Sequence, residues 1–228
     1  MKTPAWSIAA EEARVGSVWE SLWHEKDVRL QWSQPSPEVS WYLNRVAVPE
    51  GLAVDVGCGT GRHMEPLLAV AYSAVGLDYS MAALRHARSR CLNLRYAAFV
   101  RGSMFDLPFP DRRFSVVLAF NVVYHASLRG TQRALQELIR CCVPGGAVLV
   151  TLLSTRNKTY GLGREVEPGT FVRESEPGDR GVIHHFFTAD EIVRSARGAR
   201  ITDMIEREPW VNGTPDPGGH HWFVLLRA

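Results

Sequence analysis

A chain of 228 residues, 46% of them hydrophobic, is long enough for one α/β domain with appendages and apolar enough to bury a sizeable core. A charged fraction of 22% and a net charge of +2 exclude a disordered polyelectrolyte and give no strong electrostatic case for nucleic acid. No stretch has the ~18 apolar residues of a membrane span, and no apolar run of signal-peptide length opens the chain. Cys58, Cys91, Cys141 and Cys142 lack zinc-site spacing and read as reduced thiols, so a cytoplasmic protein without membrane or metal is expected.

In chain order, Ala9–Lys26 has the pattern of an amphipathic helix. Ser36-Pro37-Glu38 starts a second helix, with Ser36 as N-cap and Pro37 at the first helical position. Trp6, Trp19, Trp23, Trp32 and Trp41 place five of the seven tryptophans in this arm, more than a surface helix needs, which suggests a lid with a flat apolar inner face. From Leu52 onward strands alternate with helices. Strand signals fall at Leu52–Val56, Ser73–Leu77, Leu94–Phe99, Phe114–Phe120 and Ala147–Leu153, and helices at Gly61–Val70, Ser80–Arg90 and Leu128–Cys141. Short apolar strands separated by helices indicate a doubly wound parallel sheet with helices on both faces. Pro144-Gly145-Gly146 punctuates the return from helix to strand. Residues 154–187, rich in Gly, Pro and charge, are too long for an ordinary connection. Thr188 and Glu191 form a capping box that opens a helix to about Arg197. Ile201–Glu208 and Trp222–Arg227 are two further strands, joined by the loop 209–221.

The first strand runs into Gly57-Cys58-Gly59-Thr60-Gly61 and then a helix. Glycines there permit positive φ and let a ligand touch the backbone, and amides at the helix start point into the turn. Asp78 ends the second strand, where a carboxylate accepts from both hydroxyls of a ribose. Nicotinamide enzymes share that feature. Their Gly-x-Gly-x-x-Gly spacing differs from the Gly-x-Gly-x-Gly here, and Asp55 inside the first strand and the terminal hairpin also set this chain apart.

Ala53–Arg62 resembles motif I of class I S-adenosylmethionine-dependent methyltransferases. Val75–Ser80 resembles their acidic ribose motif, Gly102–Phe109 their adenine loop, Phe114–Phe120 the fourth strand, and Val143–Ala147 the turn into the fifth. The resemblance implies a seven-stranded sheet in the order 3-2-1-4-5-7-6 with the seventh strand antiparallel, capped by an N-terminal helical arm. It implies S-adenosylmethionine as cofactor, held by Asp55, Gly57, Cys58, Gly59, Gly61, Asp78, Tyr79, Ser103, Met104 and Asn121. Ser103 stands where the family usually has Asp, so its contact with adenine carries no charge and is weaker. The arm more loosely resembles that of thiopurine and tellurite-resistance methyltransferases, in which an aromatic covers the cofactor. Trp32 is the candidate, and a soft acceptor such as a thiol is implied. One domain is expected in four parts: a lid (1–50), a cofactor-binding core (51–153), an acceptor-side insertion (154–187) and a C-terminal helix with hairpin (188–228).

Asn121-Val122-Val123-Tyr124-His125 follows the fourth strand, which places Tyr124 and His125 off the carboxyl edge of the sheet. His125 is the first candidate base, His185 the second, and Tyr124 a pocket residue. The Asp/Asn-Pro-Pro-Tyr run of DNA adenine methyltransferases is absent, which disfavours a nucleobase amine. A small-molecule acceptor is therefore expected. An RNA methyltransferase rests only on the arginines between Arg85 and Arg113, which read first as a solvated helix face and loop. A cofactor-binding regulatory protein and a nicotinamide oxidoreductase are the further alternatives.

Overall fold

The computed structural model describes residues 8–174, 180–211 and 213–228. The arm folds as Ile8–Leu22 (α1), Lys26–Gln31 (α2) and Pro37–Leu43 (α3). One long helix was expected over Ala9–Lys26; the chain instead turns after Leu22 and starts again at Lys26. Ser36 occupies the N-cap position of α3, but its hydroxyl bonds the Glu38 carboxylate rather than the helix backbone.

Leu52–Val56 (β1), Ser73–Asp78 (β2), Ala97–Arg101 (β3), Phe114–Ala119 (β4) and Cys142–Ser154 (β5) form a parallel sheet in the order β3-β2-β1-β4-β5. Met64–Leu68 (α4), Met81–Arg90 (α5) and Leu128–Cys141 (α6) are the crossovers. Three boundaries of this sheet and its crossovers shift by three residues or more, each for a local reason. α4 starts three residues late because Pro66 has no N–H to donate and is tolerated only in a first turn. β3 starts at Ala97 because the Leu94 amide bonds back to Cys91 and holds a turn. Pro144-Gly145-Gly146 does not break the chain but forms an irregularity inside β5, with Gly145 at φ 76°.

Past β5 lie Arg164–Glu167 (β6), Thr170–Val172 (β7) and Ile183–Phe187 (β8), then Ala189–Ser195 (α7) and Arg200–Arg207 (β9). A small hairpin of Trp210–Val211 (β10) and Thr214–Pro215 (β11) precedes His221–Arg227 (β12). β12 is antiparallel to both β5 and β9, so β3-β2-β1-β4-β5-β12-β9 has the expected order with the expected reversed strand. The capping box of Thr188 and Glu191 opens α7. The long segment after β5 adds strands that were not foreseen. β5 outruns β4, whose last partner is Val150, and β8 takes the vacated side at Leu153 and Ser154. β7 and β6 pair antiparallel beyond it.

The strands alternate faces with a period of two. Val54, Val56, Val117 and Val148 pack with Leu135 and Leu138 of α6. Ala53, Val116, Leu118 and Leu149 pack with Met64 and Leu67 of α4 and Val39 and Tyr42 of α3. Both faces are thus covered, and ligand access is confined to the carboxyl ends of the strands.

Candidate active site

A cavity of about 730 Å³ opens there. Its floor is the glycine turn. Gly57, Gly59 and Gly61 have φ of 72°, 53° and 74°, a region that side-chain-bearing residues rarely enter. A Cβ on Gly59 would lie 2.9 Å from the Trp23 ring. The Gly57 and Cys58 amides donate to Leu77 O at 2.7 and 3.0 Å, locking the turn to β2. Asp78 accepts from Gly59 N at 2.8 Å and Ser80 N at 2.9 Å. Burial raises its carboxyl to about pH 6 against those two amides, and the Asp55 and Glu20 carboxylates add to the rise.

Gly57, Cys58, Gly59, Asp78, Tyr79, Ser103, Met104, Asn121 and Trp32 all line the cavity. Gly61 does not. It faces Cys91 and Ala87, so its role is the packing of the turn against α5. Asp55 lies beneath the turn, 1% exposed; its Oδ2 has no hydrogen-bond partner and sits 3.7 Å from Nδ1 of His63. His63 Nε2 accepts the Ser36 amide at 3.2 Å, so its proton is on Nδ1, facing Asp55. The Ser103 hydroxyl already accepts from Phe105 N at 3.1 Å. Burial and the carboxylates of Asp78 and Asp55 push the Cys58 thiol well above its ordinary value. Asn121 has φ 59°, held by Thr151, whose hydroxyl takes the Asn121 amide at 2.7 Å and donates to Oδ1 at 3.1 Å.

The other end of the cavity is a box of rings. His125 lies 5.1 Å from Trp19, 4.6 Å from Tyr124 and 4.7 Å from His184, centroid to centroid. His221 bonds Gly219 O through Nδ1 at 2.6 Å, so Nδ1 carries the proton and Nε2 accepts from the Tyr124 hydroxyl at 3.4 Å. Burial lowers His125 to about 3 and His221 to about 4, and holds His184 well below the ordinary imidazole value. Arg173 also lines this end and is 9% exposed.

His185, the second candidate base, is not in the cavity. β8 alternates, so His184 faces the box while His185 turns to Thr170 and Phe187, and its amide donates to Tyr124 O at 2.9 Å. Trp19, Trp23 and Trp32 line the cavity, whereas Trp41 is 42% exposed with Arg45 over its ring, and Trp6 lies outside the described residues. The pattern missed Arg62, whose guanidinium stands 5.1 Å from the Trp32 ring, and also His63, Arg173, His184 and His221. Arg62 and His63 directly follow the glycine run and were open to notice. Arg173 sits in a segment with no motif. Among the described residues no group of three His, Cys, Asp or Glu converges as a metal site, and no helix is long and apolar enough to cross a membrane.

Residues 53–146 match the family model described as a methyltransferase domain. With this turn, this sheet order and this match, the chain carries a class I S-adenosylmethionine-dependent methyltransferase domain. It is 31% identical over 121 residues to the demethylmenaquinone methyltransferase of Renibacterium salmoninarum, covering 53% of this chain and 48% of the relative. It is also 31% identical over 127 residues to the human protein named "Probable tRNA methyltransferase 9B", covering 55% and 26%. The chain thus spans about half or less of the length of these curated relatives. The Burkholderia thailandensis 1,6-didemethyltoxoflavin-N1-methyltransferase, solved with S-adenosylhomocysteine and its acceptor, superposes with a TM-score of 0.73 over 100% of this chain and 92% of that one, at 17% identity.

Proposed function

We propose that the protein transfers a methyl group from S-adenosylmethionine to a small-molecule acceptor held among the rings at the inner end of the cavity. The observation that carries this is the continuity of one cavity from the glycine turn and Asp78 to Trp19, Tyr124 and His125. The cofactor supplies a methyl on a sulfonium, whose leaving group is a neutral thioether and needs no acid. The chain's residues supply the rest. Asp78 accepts the ribose hydroxyls, Gly59 gives the ligand access to the backbone, and Ser103 and Met104 border the adenine. Thr60 Oγ1, buried, without a hydrogen-bond partner and in the cavity lining, fits a polar ligand beside the turn. Trp19, Trp23 and Trp32 belong to the lid and exclude water, while the strands after β5 form the opposite wall; the whole works as one domain.

His125 is neutral at pH 7 and, with a value of about 3, a poor base. Transfer therefore relies on alignment and desolvation. RNA is the second reading, favoured by the tRNA methyltransferase name that three mammalian relatives carry. Against it, none of Arg85, Arg88, Arg90, Arg95, Arg101, Arg112 and Arg113 lines the cavity. A cytoplasmic setting is supported by four free cysteines.

Thermal shift tests the cofactor: S-adenosylhomocysteine should raise Tm and NAD should not. Radiolabelled methyl transfer to a panel of thiols, phenols and amines, with a tRNA pool alongside, tests the acceptor. Labelling of tRNA alone would overturn the small-molecule reading.

A further inference from the structure

The contacts assigned so far take up the ribose and adenine of the cofactor and leave one cation of the cavity unused. Arg62 directly follows Gly61 and lines the cavity half-buried. Its guanidinium lies over two rings, 5.1 Å from that of Trp32 in the arm and 5.6 Å from that of Phe120 past β4. Among the described residues it makes no hydrogen bond and no ion pair. The two carboxylates whose charge reaches it are engaged elsewhere: Asp55 faces His63 beneath the turn, and Glu38 pairs with Arg207. Burial lowers the guanidinium to about 10, so it is charged at pH 7. A desolvated charge without a paired anion is costly. Ring contacts leave its five N–H donors unspent, and their planar fork matches a carboxylate. Thr60 adds a second polar group in the same wall, since its buried Oγ1 has no partner among the described residues. The sheet shows which end of the cofactor meets these groups. In the order β3-β2-β1-β4, Asp78 ends β2 and Ser103 follows β3, both on one side of the turn after β1. Phe120 follows β4 on the other side, with Arg62 over it. A cofactor with its ribose on Asp78 and its adenine by Ser103 therefore extends its amino-acid end toward Arg62.

We propose that Arg62 binds the amino-acid carboxylate of S-adenosylmethionine while it stacks with Trp32, so that this carboxylate fastens the arm over the cavity. Arg62 and Asp78 then divide the cofactor between them, one at each end of the glycine turn. Adenosine compounds without the amino-acid tail fill the Asp78 end and leave the cation unpaired. Compounds with the tail neutralise it, and Trp32, which closes α2, rests on a guanidinium held on both sides. The arm thus closes on the complete cofactor in preference to its adenosine part. This rests on the cofactor reading above and assigns the end of the ligand which that reading left without a partner.

The experiment is calorimetry on the full chain with S-adenosylhomocysteine, its decarboxylated analogue and methylthioadenosine, which lacks the whole tail. S-adenosylhomocysteine should bind tighter than the decarboxylated analogue by on the order of 10- to 100-fold. The analogue should bind no tighter than methylthioadenosine, because its ammonium meets Arg62 with no carboxylate between them. Arg62→Gln should weaken S-adenosylhomocysteine by at least about tenfold and leave methylthioadenosine, which lies away from the change, within about threefold. Arg62→Lys keeps the charge without the fork and should recover part of the loss. Hydrogen exchange at saturation should protect residues 26–32 more with S-adenosylhomocysteine than with methylthioadenosine, and Arg62→Gln should erase that difference. An equal loss for all three ligands in Arg62→Gln would mean that Arg62 only holds Trp32, and the proposal falls. Unchanged affinity for S-adenosylhomocysteine in that variant would leave the charge to another ligand, which also overturns it. Equal protection by the two ligands would overturn the fastening of the arm. Equal affinity of wild type for S-adenosylhomocysteine and its decarboxylated analogue defeats the carboxylate contact without any variant, so the test stands if Arg62→Gln does not fold. Failure of all three ligands to bind would defeat the cofactor reading instead, because methylthioadenosine keeps the groups that meet Asp78 and Ser103.

Discussion

The two ends of the cavity are made of different material. At the glycine turn the backbone does the work: positive-φ glycines, amides tied to Leu77 O, and one carboxylate at the end of β2, all within residues 57–80. The ring-lined end is made of side chains from Trp19, Tyr124, Arg173, His184 and His221, which come from opposite ends of the chain and meet only in the fold. A backbone site tolerates almost no change in shape, because a single Cβ fills it. A side-chain site can be retuned residue by residue while the sheet stays as it is. The first end should therefore break sharply under mutation and the second should shift its preference.

The largest effect is expected at Gly59. Valine there must adopt φ 53°, costing about 1–2 kcal/mol, and its Cβ would stand 2.9 Å from Trp23, which lies against the turn. Calorimetry should find S-adenosylhomocysteine affinity reduced by at least about 100-fold, while far-UV circular dichroism stays near wild type because the sheet core is untouched. Binding within tenfold of wild type would mean that the ligand does not approach the backbone at this turn.

Asp78 comes next. Its carboxyl is held at about pH 6 when folded, against 3.8 otherwise. A carboxyl whose folded pKa is raised favours the fold while protonated and loses that contribution as pH rises from about 4 through 6. The ligand-free protein should thus gain stability from this group, on the order of 3 kcal/mol at most, between pH 7 and pH 4. Cofactor binding runs the other way. A carboxylate accepting two ribose hydroxyls must be ionised, so affinity should fall as pH drops below about 6. Asp78→Asn should flatten both trends and weaken S-adenosylhomocysteine by about 10- to 100-fold at pH 7. Melting curves and calorimetry at pH 5 and pH 7 read the two slopes separately.

This difference between backbone and side chains also decides how much was legible in the sequence. The strand before Gly57, the glycine spacing, Asp78 and the Thr188–Glu191 box are local patterns, and local patterns fix local geometry. β1 and α6 accordingly run over the residues expected. The extension β6–β8 was not legible. It exists because β5 outruns β4 and leaves a free edge at Leu153 and Ser154, a fact about two strands more than 20 residues apart. The sequence pointed to His185, and only the pairing of β8 shows that its neighbour His184 faces the cavity instead. His125 stood at the right place, but its burial, which makes it a poor base, comes from Trp19 and His184, far from it in the chain.

The arm tests whether the ring-lined end depends on a lid held by buried polar contacts. Glu38 is 0% exposed and accepts from Trp210 N at 3.1 Å, from Arg207 at 3.0 Å and from the Ser36 hydroxyl. Ser36 in turn donates its amide to His63 beside the glycine turn. Glu38→Gln keeps the shape and removes the charge, so it should cost about 1–3 kcal/mol and lower Tm by several degrees. Affinity for S-adenosylhomocysteine should fall only a few-fold. Hydrogen exchange should show faster exchange in residues 8–43 of the variant and no change in β1. Unchanged exchange in the arm would mean that α1 and α2 are held independently of Glu38, by the tryptophans and by the contacts of Glu20 with Ala82 N and of Arg14 with Gly181 O.

The smallest effect is expected at Cys58, although it sits in the middle of the glycine turn and lines the cavity. Its position invites a catalytic role, and its surroundings oppose one. The thiol is 4% exposed, and burial with the nearby Asp78 and Asp55 carboxylates disfavours the thiolate, which is the nucleophilic form. Its one hydrogen bond, Sγ to Gly59 O at 3.8 Å, is weak. Methyl transfer from a sulfonium to a bound acceptor needs no covalent enzyme intermediate. Cys58 therefore acts as a small apolar filler between β1 and the turn, packed against Gly76, where a Cβ would come 2.9 Å from Sγ. Cys58→Ala should leave S-adenosylhomocysteine affinity within about threefold and cost about 1 kcal/mol of stability for the small void it opens. Iodoacetamide at pH 7 should label the native protein at Cys58 far more slowly than the unfolded chain. Fast labelling that S-adenosylhomocysteine blocks would mean an exposed, activated thiol, and the turn would then have a chemical role in addition to its shape.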